Sequence, residues 1–405
     1  NEDSEIYDFT DSNYFPWGFY EYDFRDVTYR DRDAYTIDLN LNKHNSNKSL
    51  IFGFFHSLVN EIDNRSGWLF GGSGDSLHSN YRISNSALYI GLKKTFKNKF
   101  EANFSARYDF IDQRNNSFVS YYSSEISSEE YNNTNIMIGG RFEVSYKITK
   151  NLTSNLSFSR GYKPSGINQT PNIGIVDDLP ARLRYYETEV GNNFDLSFVY
   201  DNRNTHINVA FFAMDRINPQ IRLSYQLIEG DPTSFDYYTA NASSGYSYGL
   251  EADMKFIINK HLFIYDRFCI NKTFISKYNY LSNEVGNRSE SHAPEFSAAG
   301  GFEFMYKNFS LMADHSINLG FYYDNQSSFE SSPYQILNCN MNYQIHNILI
   351  SFFAKNILDE IYTTRGYYFS LEPSSLNDGG VEFPEKLYVS YGNPRKLGLS
   401  ISYKF

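Results

Sequence analysis

The chain has 405 residues, 36 of them Lys or Arg and 47 Asp or Glu, for a net charge of −11 that disfavours nucleic acid as a partner. Aromatic residues make up 18% of it, with 36 Tyr and 35 Phe, yet mean hydropathy is negative. No apolar run approaches the ~18 residues that a membrane helix needs.

Residues 1–33, opening NEDSEIYDFT, are acidic and aromatic and read as an extracellular loop or strand edge, with WGFYEYDFRD at 17–26 as an optional strand. From there alternation takes over. In 35–42 Tyr35, Ile37, Leu39 and Leu41 alternate with Thr36, Asp38, Asn40 and Asn42. In 100–110 Phe100, Ala102, Phe104, Ala106, Tyr108 and Phe110 alternate with Glu101, Asn103, Ser105, Arg107 and Asp109. The same pattern returns in 136–147, where Arg141 and Glu143 share the polar side, in 246–256, where Glu251, Asp253 and Lys255 do, and at Leu397, Leu399, Ile401 and Tyr403 before the terminal Phe405. A period of two with one apolar face marks a strand whose two faces meet different media.

The connections carry the stronger signal. Short polar turns fall near 43–48, 97–99, 149–151, 201–204, 258–261, 307–308 and 344–347. Between them lie long segments near 62–84, 112–133, 161–184, 222–236, 278–293, 324–332 and 359–392. Strict short–long alternation suits short turns at one membrane surface and long loops at the other. Many strands also reach ten residues, against a mode of about five or six in soluble sheets. The reading is all-β: a transmembrane antiparallel β-barrel over 34–405, with about 15 strands, or about 16 if 17–26 is one.

A charge on the lipid face at the midplane costs ~2–4 kcal/mol, so Asp38, Glu101, Arg107, Asp109, Arg141, Glu143, Glu251, Asp253, Lys255, Lys355 and Lys404 are expected to line the lumen, all on one face. They form either a mutually paired hydrated wall or contacts to a plug or solute. Cys269 and Cys339 read as buried or lipid-facing thiols, since two intervening strands at ~4.8 Å each hold them beyond disulfide reach. None of the eight histidines sits in a G-x-S-x-G, H-E-x-x-H or His/Cys cluster, so no catalytic, cofactor or metal site is read. His315 follows Asp314, but neighbours on a strand face opposite sides.

In the long loops, Trp68 and Phe70 (SGWLFGGSGD) and Arg365, Tyr367 and Tyr368 (TTRGYYF) are candidates for ligand contact. Stacking and cation–π contacts suit aromatic or iron-chelate ligands. The blander reading is that these residues pack the loops together.

Several segments resemble the C-terminal barrel region of TonB-dependent outer-membrane receptors. SFSRGYKPSGIN (157–168) resembles the family's S-[KR]-G-[YF]-[KR]-x-G-[FG]-N element, and YYETEVGNNFDLSFVY (185–200) a shortened E-T-x-x-x-E-x-G element. NASSGYSYGLEADMKF (241–256), HAPEFSAAGGFEF (292–304), FFAKNILDEIYTTRGYY (352–368) and the closing YGNPRKLGLSISYKF (391–405) follow in family order. The resemblance implies a plug domain, a 22-stranded barrel and a TonB-contacting segment, none of which is found here, so the chain reads as the C-terminal part of a receptor. It further implies uptake of a scarce ligand, a ferric siderophore or similar iron complex, energised by TonB through upstream segments. The alternative is a passive porin-like channel formed by a smaller plugless barrel. Outer-membrane lipid and the barrel-assembly machinery are the other implied partners, with Tyr403 and Phe405 as the assembly signal and the last strand closing onto the first.

Deleting Phe405 is expected to lower outer-membrane yield of the full-length protein while the molecules that do insert keep their ligand affinity. Normal yield, measured by surface labelling and fractionation, would overturn that role.

Overall fold

The computed structural model describes residues 2–15, 18–69, 72–97, 99–121, 124–168, 185–226, 235–280, 283–370, 375–377 and 380–404. Sixteen strands form one sheet in chain order: β1 (Glu2–Phe15), β2 (Gly18–Asn45), β3 (Lys48–Leu69), β4 (Gly72–Phe96), β5 (Phe100–Tyr121), β6 (Ser124–Lys147), β7 (Leu152–Lys163) and β8 (Glu189–Asp201), then β9 (Thr205–Ile217), β10 (Ser244–Asn259), β11 (Leu262–Ile275), β12 (Phe296–Tyr306), β13 (Phe309–Asn318), β14 (Tyr334–Ile345), β15 (Ile348–Lys355) and β16 (Lys396–Tyr403). Neighbours in this order pair antiparallel, as in Leu39↔Phe54, Phe54↔Leu88 and Leu88↔Tyr108. Those four side chains stand in one row of the apolar face and are exposed there, Leu39 to 63%. An apolar face open along the whole sheet is what a wall in contact with lipid requires.

All seven short turns fall between strands where the sequence places them, and Asn and Thr side chains close several. Asn45 accepts from the Lys48 amide at 2.9 Å, Thr149 from Leu152 at 3.1 Å, Asn202 from Thr205 at 2.9 Å and Asn259 from Leu262 at 3.2 Å. Side chains that accept backbone N–H bonds two or three residues on are why these polar residues favour tight turns.

Two expectations are corrected. The segments 62–84 and 112–133 are not extended loops, because β3 runs 22 residues up to Leu69 and β4 25 from Gly72, and β5 runs 22 up to Tyr121 and β6 24 from Ser124. Residues 1–33, expected as a loop or strand edge, form β1 and the first half of β2 instead. Backbone ladder bonds propagate through Ser, Asn and Glu even where apolar alternation has ended, because the ladder needs only N–H and C=O groups. Among the described residues the recorded ladders pair β1 with Gly18–Asp31 of β2 and β16 with β15. Among the described strands one edge of β2 from Arg32 to Asn45 has no ladder partner, and Leu41 at 76% and Ile401 at 67% are among the most exposed apolar side chains.

Charges are not confined to one face either. Ile264 and Ile270 lie on the exposed apolar side of β11, and Asp266, two and four residues from them, shares that side. His315 joins Asp266 there, since its ladder partner Gly300 is also the partner of Asp266. The thiols are both free, Cys269 on the polar face opposite Glu251 and Cys339 on the apolar one.

Among the described residues, the buried apolar side chains of the wall, such as Ala87, Ile111 and Met137, form no continuous cluster. Among the described residues the buried apolar cluster belongs to the long-connection side: Ile221, Leu223 and Tyr225 of the hairpin strand Gln220–Gln226, Tyr238 of its return strand with Ala242 just after it, Ile275 at the end of β11 and Tyr278 beyond it.

Close approach in the wall makes glycine necessary at one position and merely present at another. A Cβ on Gly249 would lie 2.0 Å from the Ile270 carbonyl and 2.7 Å from the Phe212 ring, whereas on Gly91 it meets only Ile51 at 3.8 Å. Gly249→Val is expected to destabilise the folded barrel by about 1–3 kcal/mol, the usual cost of overpacking, and Gly91→Ala to leave it near wild type. Urea titration of refolded protein in detergent, read by heat-modifiable gel mobility, checks both.

Candidate extracellular binding site

Four segments meet above the sheet. The hairpin of Gln220–Gln226 and Phe235–Asn241 is joined to the strand Thr363–Ser370 by a two-point bond, Gln226 Nε2 to the Ser370 carbonyl at 2.6 Å and the Ser370 amide to Gln226 Oε1 at 2.7 Å. That strand pairs in turn with Glu385–Tyr391. Segment 319–333 threads between them: Asn325 Oδ1 accepts from the Ser291 amide at 2.9 Å, and the Tyr278 hydroxyl donates to the Asn325 carbonyl at 2.5 Å. Asp324 caps its own turn, accepting from the Gln326 amide at 3.0 Å and the Ser327 hydroxyl at 2.7 Å. Tyr323 lies against Gly366, where a Cβ would sit 2.6 Å from its ring, and its hydroxyl meets Thr363 Oγ1 at 2.5 Å.

A cavity of about 450 Å³ remains between these segments. Arg222, Arg365 and His292 line it together with Tyr237, Tyr323, Tyr367 and Tyr368. The Arg222 guanidinium lies 4.0 Å from the Tyr237 ring centroid, a cation–π contact that holds it extended. Asp324, the carboxylate of the lining, is engaged by Arg288 at 3.7 Å and by its own turn. Among the described residues Arg365 has no carboxylate within ion-pair distance, so the cavity keeps a positive surplus set among phenol rings. Such a surface can hold an anion with planar aromatic or chelate faces.

The root of the site is an ion network at the rim of the sheet. Arg216 at the end of β9 donates from Nε to Glu189 of β8 at 2.8 Å and from Nη1 to Glu290 at 2.7 Å, and it is buried. Glu189 also accepts from the Gln220 amide at 2.8 Å and Lys163 Nζ at 3.3 Å. One guanidinium thus fixes the start of the hairpin and the segment that carries Ser291 and His292.

The structure brings Arg365, Tyr367 and Tyr368 into this cavity. Phe70 lies outside the described residues, as does the Trp68 side chain. The polar-face charges stand on the side of the sheet away from the exposed apolar band, mostly in pairs two residues apart on one strand. Arg107 donates to Asp109 at 2.8 Å, Arg141 pairs with Glu143 at 2.8 Å, and Lys255 with Asp253 at 3.5 Å. Asp109 also accepts from the Tyr162 hydroxyl. Glu251 lines a neighbouring groove of the wall, and Lys355 is exposed at the end of β15. Sequence reasoning missed Arg222, His292, Asp324 and the Arg216 network. Glu189 and His292 do lie in the quoted YYETEVG and HAPEF elements, which is the signal available for them.

A model of the family described as TonB dependent receptor-like, beta-barrel matches residues 3–357. Among solved structures, the ferric yersiniabactin uptake receptor FyuA from Yersinia pestis superposes with a TM-score of 0.73 at 15% identity, covering 100% of this chain and 58% of that one. The siderophore receptor PiuA from Acinetobacter baumannii gives 0.67 at 13%, covering 96% and 57%. The copper transporter OprC gives 0.67 at 11%, covering 100% and 67%. The chain therefore spans somewhat more than half the length of the first two.

Burial pushes the His292 imidazole below its ordinary 6.5; a backbone hydrogen bond to Tyr323 opposes this and the Arg365 charge reinforces it. As pH falls the unfolded state takes up the proton first. The stability contributed by the neutral ring is thus complete above about pH 6.5 and is lost as pH drops from there through the folded value. Hydrogen exchange of segments 286–295 and 319–333, corrected for intrinsic rates, is expected to speed up on acidification to pH 5 in the wild type and to stay flat in His292→Gln.

Proposed function

We propose that this chain, which belongs to the TonB-dependent receptor-like β-barrel family, supplies the ligand-capturing loops and part of the pore wall of a receptor for an anionic iron chelate. Its place is the bacterial outer membrane, as for the family. The observation that carries the reading is the loop cavity, in which Arg222 and Arg365 stand among four tyrosines. Two guanidiniums suit the negative charge of a carboxylate-, catecholate- or phenolate-ligated ferric ion, and the phenol rings suit its flat organic faces. FyuA as a ferric yersiniabactin uptake receptor and PiuA as a siderophore receptor point the same way, whereas OprC as a copper transporter marks copper as the competing cargo.

In this reading the chain's own part is binding rather than chemistry. Arg222 and Arg365 attract and orient the complex, the tyrosines exclude water from its faces, and the Arg216 network holds the segments at fixed spacing. Inward movement is driven by TonB acting on protein outside this chain, and the paired charges Arg107, Asp109, Arg141 and Glu143 give the solute a hydrated path along the wall. The receptor carries out transport and performs no bond-making step.

The test uses the full-length protein in an iron-limited host that lacks its own receptors. Uptake of labelled ferric citrate and of a ferric catecholate complex is measured with and without TonB. Arg365→Ala and Arg222→Ala are each expected to weaken binding of the anionic complexes about tenfold, the worth of a charge-assisted contact. Unchanged affinity in both variants, or uptake that persists without TonB, would sink the proposal.

A further inference from the structure

Asp266 and His315 stand on the lipid-facing side of the wall. They share one ladder row, which runs Ile207, Met254, Asp266, Gly300, His315, Leu337 across six strands. Asp266 is the fifth residue of β11 and His315 the seventh of β13, counted from the short-turn end. At a rise of about 3.3 Å per residue and a tilt near 40°, that height is roughly 10–15 Å above the turns, well inside an apolar band about 25 Å tall. Other charged residues of this face, such as Lys94 near the short turns and Lys272 near the loops, lie toward strand ends, where headgroups and water solvate them.

The two side chains reach for each other across a glycine. His315 Nε2 is 3.7 Å from Asp266 Oδ2, and a Cβ on Gly300 would lie 2.6 Å from Asp266 Cγ. The pair sits in an open groove of about 480 Å³, bordered by Leu262, Ile264 and Phe302. Among the described residues neither side chain makes a hydrogen bond, and 38% of Asp266 and 28% of His315 remain exposed. Acyl chains have no donor or acceptor to offer such groups, so polar side chains facing a membrane interior call for a protein or polar partner.

We propose that this groove is the contact surface for a second copy of the chain. The pair is self-complementary: a two-fold axis along the membrane normal, passing through the groove at Gly300, sets Asp266 of each copy against His315 of the other. Each polar group, already 3.7 Å from the other within its own chain, then gains a second partner of the opposite kind, and the shallow floor at Gly300 admits the facing side chains.

The test is the oligomeric state of the full-length protein, by native mass spectrometry and by photobleaching step counts at high dilution in bilayers. Wild type is expected to dimerise. Asp266→Leu and His315→Leu, which remove polarity from a lipid face and so favour folding, are each expected to raise the dissociation constant tenfold or more. The exchange Asp266→His with His315→Asp keeps the two-fold match and is expected to restore the dimer. Folding of every variant is read by heat-modifiable gel mobility. A wild type that stays monomeric overturns the proposal, with or without a bound phospholipid that Asp266→Leu releases. So does a dimer indifferent to all three changes.

Discussion

Everything in this molecule follows from the need to satisfy backbone N–H and C=O groups where no water can do it. In a hydrocarbon layer an unpaired peptide group costs several kcal/mol, and an antiparallel ladder removes that cost along both sides of every interior strand. Once the ladder is set, register is set, and with it which side chains meet lipid. The wall consequently needs no side-chain core: Leu39, Phe54, Leu88 and Tyr108 contribute by being exposed to the right medium. The same logic singles out the open edge of β2 below Asp31 and the outer edge of β16, where ladder groups have no partner among the described strands.

The loops obey a different rule, because they stand in water. Their position is held by burying Ile221, Leu223, Ile275 and Tyr278 against one another and by the Arg216 network beneath. A buried guanidinium shared by two carboxylates is a poor source of net stability, since desolvation offsets much of the attraction. Its geometric demand is strict, however, and geometry is what a binding cavity needs. Arg216 therefore acts on the spacing of the segments that present Arg222 and His292 more than on how tightly they are held.

The sequence disclosed what depends on a local period and hid what depends on register. Seven turns and the strands flanking them were legible because Tyr, Phe, Leu and Ile alternate up to Asn- and Lys-rich breaks. The outer halves of β3 to β6 were not, because segments such as SSEEYNNTN carry no apolar alternation and hydration leaves their faces unmarked. Arg365, Tyr367 and Tyr368 stood out as aromatic and cationic residues in a loop. Arg222 and His292 join them from loops more than 70 residues away, a proximity only the packing reveals. His315 was judged against its chain neighbour Asp314, whereas its partner is Asp266, two strands away across a glycine. Recognition of the family rested on short motifs near turns and strand openings, where backbone geometry restricts the residue types.

The buried cluster above the sheet has a thermodynamic consequence. Wall and loop assembly are stabilised by separate means, one by lipid contact and ladder bonds, the other by an apolar core of its own in water. They are joined mainly through Arg216, Gln220 and the strand ends beneath. Two cooperative units with different sensitivities to detergent, salt and temperature then share one chain, and a single melting midpoint would describe neither. On that account the loop assembly is expected to lose its structure at its own midpoint, over a wall that stays folded.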